Sequence, residues 1–145
     1  MARIQDAMLK IVFFVYPNKD AAISNEESGG TGFFFIEPIE PTGPQIRTAL
    51  ILAVTNLHVV FDGNYDPVLR INTKDGKYDI IETKRDQWIR HPDGDDLAVA
   101  IIGINSSHHD FEYISRVHML TRDFIEEKEV GVGDEIAPIY LTDPS

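Results

Sequence analysis

Apolar side chains in this chain fall into short dense runs separated by turn-forming residues. From Ile4 through Met8, Ile11, Val12 and Val15 the spacing starts at helical intervals and becomes continuous over residues 11–16, closed by Pro17 and Asn18. A short N-terminal helix feeding a strand is predicted. Residues 18–31 are polar and glycine-rich and read as a loop. The segment 32–36, with three consecutive phenylalanines and Ile36, predicts a buried strand that stops at Glu37-Pro38. Three prolines and Gly43 then mark a hairpin connection, and residues 47–55 form the apolar return strand.

Residues 57–61 have room for one helical turn before Asp62-Gly63 ends it. Further strands are predicted at 68–72, at 78–89 with an irregularity near Lys84-Arg85, and at 97–102; Asp75-Gly76 supplies a hairpin turn. Six short strands with turn chemistry between them predict an all-β fold, a six-stranded antiparallel β-barrel over residues 1–103. Residues 104–145 read as a C-terminal extension, polar up to Glu129 and ending in an apolar run, 136–141, that has the look of a strand with no successor.

Composition narrows the class. With 145 residues and 43% apolar content, one compact domain with a core is expected. The formal charge of -11 repels phosphate backbones at range, so no nucleic-acid partner is expected. The absence of cysteine excludes disulfides, thiolate zinc sites and a thiol nucleophile. No apolar run matches a bilayer, and Asp6 and Lys10 stand where the apolar stretch of a signal peptide would lie, so a cytoplasmic protein with no membrane partner is expected.

Two clusters can carry chemistry. In Val54-Thr55-Asn56-Leu57-His58-Val59-Val60 a histidine follows an apolar strand on a tight helical turn. In His91-Pro92-Asp93-Gly94-Asp95-Asp96-Leu97-Ala98-Val99-Ala100 a carboxylate opens the next strand. Taken alone, a histidine can simply satisfy a helix end, and Asp93, Asp95 and Asp96 can be turn residues. His108-His109 with Asp110 offers imidazoles and a carboxylate to a metal, but adjacent side chains point apart and no third ligand is indicated; neither metal nor cofactor is called for. His91 and His118 read as surface or partly buried, and Trp88 with Phe33, Phe34 and Phe35 as packing.

Gly30-Thr31-Gly32-Phe33-Phe34, then Thr55-Asn56-Leu57-His58-Val59-Val60, then Asp96-Leu97-Ala98-Val99 resemble, in order and spacing, the bacterial trypsin-like serine peptidases. Val132-Gly133-Asp134-Glu135-Ile136 also resembles the start of that family's second barrel. The resemblance implies a trypsin-like N-terminal barrel in which His58 is the general base and Asp96 orients it. A serine hydroxyl is a poor nucleophile until an imidazole takes its proton, and the imidazolium formed is stabilised by a carboxylate. Asp96 is preferred to Asp95 because it directly precedes Leu97-Ala98-Val99.

The third triad member departs from the pattern. After Asp96 the serines are Ser106, Ser107, Ser115 and Ser145, none in a glycine-flanked turn; Glu27-Ser28-Gly29-Gly30 imitates the nucleophile motif but precedes the histidine. The expectation is the N-terminal half of a serine endopeptidase, inactive alone, acting on peptide or protein substrates once a C-terminal barrel or a second chain is supplied. An unpartnered barrel would expose apolar surface, so a homodimer is expected. The competing expectation is a barrel that binds partners without catalysis.

Overall fold

The computed structural model describes residues 6–26, 29–39, 48–116 and 126–127. Seven antiparallel strands form one sheet: β1 (Val12–Tyr16), β2 (Gly30–Ile39), β3 (Thr48–Thr55), β4 (Val68–Asn72), β5 (Tyr78–Glu82), β6 (Ile89–Arg90) and β7 (Ala98–Ile102). Their spatial order is β5-β4-β1-β2-β3-β7-β6, a curled sheet whose two edge strands follow one another in the chain. Short helices lie at α1 (Asp6–Leu9), α2 (Lys19–Ser24) and α3 (Leu57–Phe61).

The seventh strand corrects the expected six. Residues 78–89 do not run as one strand; a 3₁₀ turn at Arg85–Gln87 divides them. The corner is built by hydrogen bonds: Trp88 Nε1 donates to Thr83 Oγ1 at 2.9 Å, and that hydroxyl donates to the Pro67 carbonyl at 2.6 Å. Turning there lets the segment begin on β4 and finish on β7. A second correction concerns residues 18–31. They include helix α2, because Asn18 Oδ1 accepts the Ala21 N–H at 2.8 Å and Asn25 takes the left-handed conformation (φ 57°) that ends the helix. Nor does β2 stop at Glu37-Pro38; Pro38 pairs with Ala49 and the strand reaches Ile39.

The larger core is the concave face, and Tyr16, Ala22 and Val68 form a second, smaller buried cluster with α2. Phe13, Val15, Phe34, Ala53, Leu69, Ala98, Ala100 and Trp88 are buried together with Val59 and Val60 of α3. Close packing forces glycine at position 32, where an added Cβ would lie 2.4 Å from both Phe13 Cζ and the Val54 carbonyl oxygen. Period-two alternation puts the intervening side chains on the convex face, where strand pairing aligns Val12, Phe33, Val54, Val99 and Ile89 in one row and Phe35, Leu52 and Ile101 in the next. Of the phenylalanine trio, then, only Phe34 is a core residue. Ile89, Ile101 and Leu97 are exposed.

Residues 105–116 return along the sheet rather than leaving it. Asp110 N–H donates to the Asn72 carbonyl at 2.8 Å, Glu112 N–H to Lys10 O at 3.1 Å, and Ile114 exchanges hydrogen bonds with Phe34 and Ile36, both at 2.9 Å. Arg116 then forks onto the Glu37 carboxylate at 2.6 and 3.1 Å. The expected strand at 136–141 and the Ser28 loop position lie outside the described residues. No helix among the described residues is long and apolar enough to cross a membrane.

Candidate active site

Strand β3 delivers the first cluster. Thr55 is buried and its hydroxyl donates to the Thr31 carbonyl at 2.7 Å, which ties the end of β3 to β2 just before α3 begins. A short helix here leaves its first N–H groups without intrahelical partners. Asn56 occupies the cap position, yet its side chain makes no capping bond. The missing acceptor comes from the neighbouring strand.

That acceptor is Asp96, at the mouth of β7, which pairs directly with β3. Asp96 Oδ1 accepts the backbone N–H of His58 at 2.9 Å, and Oδ2 lies 2.7 Å from His58 Nδ1. The Asn56 amide, free of capping duty, donates to the Asp96 backbone carbonyl at 3.2 Å. One carboxylate thus caps the helix and holds the ring that the helix carries. The His58 N–H and ring hydrogen bonds, in that order of weight, pull the Asp96 carboxyl below the ordinary carboxylate range.

An ionised Asp96 only accepts, so the His58 proton facing it must be on Nδ1. In the neutral ring this leaves the lone pair on Nε2, and among the described residues Nε2 has no hydrogen-bond partner. The side chains are 58% and 53% exposed, so the pair is open to water and its ionic part is screened. What the arrangement can do is accept a proton at Nε2 and stabilise the resulting imidazolium from the other side.

Beside the pair runs a groove of about 200 Å³ lined by Val12, Thr31, Phe33, Val54, Asn56 and Leu97. It is the end of the convex apolar face that lies nearest the dyad.

Asp95, the neighbouring carboxylate, lies with Oδ2 3.7 Å from His91 Nε2. The His108-His109-Asp110 run does not converge: Asp110 pairs with Lys10 Nζ at 3.0 Å. It is Asp79 that meets His109, at 2.9 Å from Nε2, in a group that also draws in His108. His109 Nδ1 accepts the Asn105 N–H at 3.0 Å, which obliges Nε2 to carry the ring proton. A protonated Nε2 donates to Asp79 and has no lone pair for a metal, so the buried His109 acts as a bracket between β5 and the returning segment.

The sequence reading gave Asn56 a place in the motif but not its hydrogen bond to the Asp96 backbone. Asn56 carried a visible signal, since an asparagine directly before a helical turn is a cap residue whose side chain must go somewhere. Comparisons with protein-family profiles, curated proteins and solved structures return no match.

Proposed function

We propose that the chain is the N-terminal half of a trypsin-like serine endopeptidase, with His58 as general base and Asp96 as its orienting acid. The observation that carries this is the 2.7 Å contact between His58 Nδ1 and Asp96 Oδ2, made across 38 residues, with Oδ1 fixed by the His58 N–H. In the proposed reaction a serine hydroxyl attacks the peptide carbonyl, forming the C–O bond as its proton passes to His58 Nε2. The imidazolium then delivers that proton to the amine as the C–N bond breaks, and a water repeats the cycle to release the acyl group.

The nucleophile and the oxyanion donors are supplied by a C-terminal barrel or a second chain. The half-exposed dyad supports this, because such electrostatics act strongly only where water is excluded. So does the apolar groove at its side, which suits a second packed layer.

A fluorophosphonate probe provides the test. This chain alone is expected to stay unlabelled, and the label is expected on a serine of a longer polypeptide or added chain that completes the triad, in proportion to intact His58 and Asp96. Labelling of a serine within these residues, or labelling of the completed enzyme indifferent to His58→Ala, overturns the proposal. A barrel that only binds partners would give no label in any combination.

A further inference from the structure

The loop that carries Asp96 presents two adjacent carboxylates, and only one can serve His58. Residues 91–97 join β6 to β7, and His91 makes several of the polar contacts that shape them. Its N–H donates to the Leu97 carbonyl at 3.2 Å, extending the β6–β7 ladder by one rung, and its carbonyl accepts the Gly94 N–H at 3.1 Å. Pro92 then occupies the position of a tight turn that favours its fixed φ, and Gly94 takes φ 81°, which a side chain would resist. His91 Nδ1 accepts the Asp93 N–H at 3.1 Å, the same two-residue reach by which asparagine closes a turn. Its Nε2 lies 3.7 Å from Asp95 Oδ2.

Beyond Asp95 the chain tightens again, with the Leu97 N–H donating to the Asp95 carbonyl at 2.7 Å. Asp96 therefore sits at the apex of a three-residue turn. A slip of one residue in the preceding turn would present Asp95 instead.

We infer, building on the peptidase reading of His58 and Asp96, that His91 is a positioning residue that selects Asp96 over Asp95 as the partner of His58. It does so by fixing the turn through Nδ1, which accepts the Asp93 N–H. It touches no reacting atom.

Proton NMR of the full chain tests this through the His58 Nδ1 proton, assigned by its disappearance in His58→Gln. On cooling, wild type is expected to show a downfield signal whose exchange with water can be timed, which Asp96→Asn removes and Asp95→Asn leaves alone. Absence of that signal in wild type, or its survival in Asp96→Asn, overturns the dyad reading itself. With the dyad present, His91→Ala is expected to speed exchange of the Nδ1 proton about fivefold, the ratio that follows from losing one hydrogen bond of ordinary net strength. His91→Asn, whose oxygen can still accept the Asp93 N–H, is expected to restore the wild-type rate. Should His91→Ala not fold, His91→Gln, with its acceptor one carbon too far out, carries the same expectation. An unchanged exchange rate in a folded His91→Ala or His91→Gln protein overturns the role of His91 while leaving the dyad standing.

Discussion

At the scale of single residues, the dyad is organised by a division of labour among hydrogen bonds. Asp96 spends one oxygen on the backbone and one on the ring, so replacing it with asparagine leaves a carbonyl that can still cap α3 but turns an N–H₂ toward His58 Nδ1. The ring must then take the other tautomer, with its proton on Nε2 and no base where one is needed. In a completed enzyme, Asp96→Asn is expected to lower kcat by a factor on the order of 10⁴ with thermal stability little changed, a combination measurable by kinetics and melting side by side. The same bonds set a pH dependence. Because folding lowers the Asp96 carboxyl below its ordinary 3.8, the stabilisation it lends is complete above that value and is lost as pH falls through the depressed one. Wild type is thus expected to lose stability more steeply than Asp96→Asn on acidification below about pH 4, read from urea midpoints as a function of pH.

At the scale of elements, α3 is too short to hold itself and depends on what grips it from outside. Tyr65 donates its hydroxyl to the Val59 carbonyl at 2.8 Å, and burial pushes that phenol upward from its ordinary range. Tyr65→Phe is expected to cost about 1 kcal/mol in chemical denaturation, since the lost bond is partly shielded from water. Glycine at 32 answers a harder constraint. One of the atoms that crowds an added Cβ is a backbone oxygen, which cannot swing aside, so Gly32→Ala is expected to cost about 1–3 kcal/mol in the same assay.

These elements also measure how much could be read in advance. The strands with dense apolar runs, β1, β3, β4 and β7, were legible because their burial leaves a mark on composition, and His58 and Asp96 were legible because each follows or opens such a run. Helix α2 was not, because its stop and start rest on Asn18 and Asn25, and asparagine signals a loop as readily as a cap. The break after β5 was half visible near Lys84-Arg85. What closes the corner, though, is a relay from Trp88 through Thr83 to Pro67, whose second hydrogen bond spans 16 residues and is encoded in no local pattern. His91 was hidden for a similar reason, since its role comes from where a turn puts its ring.

At the scale of the whole molecule, the curled sheet has a filled inside, while part of its outside is left apolar and exposed. Buried alanines and aromatics fill the concave face, while Ile89, Ile101 and Leu97 stand exposed on the other beside half-covered Phe33, Val54 and Val99. An apolar patch on a chain of formal charge -11 sets two tendencies against each other, apolar attraction and overall repulsion. Self-association is therefore expected to strengthen with added salt, as screening removes the repulsion, and to be abolished by Ile101→Lys. Sedimentation velocity across a concentration and salt series distinguishes this from a monomer at every condition, which would count against the face as a contact surface.

Trp88 is the sole indole of the chain, buried at the bend where the sheet's two margins come together and tethered to a hydroxyl there. Nature has thereby placed a single fluorescent lamp at the seam of the curl. Its emission colour reports, without any added dye, whether that seam is shut, so opening of the edge can be timed separately from collapse of the rest.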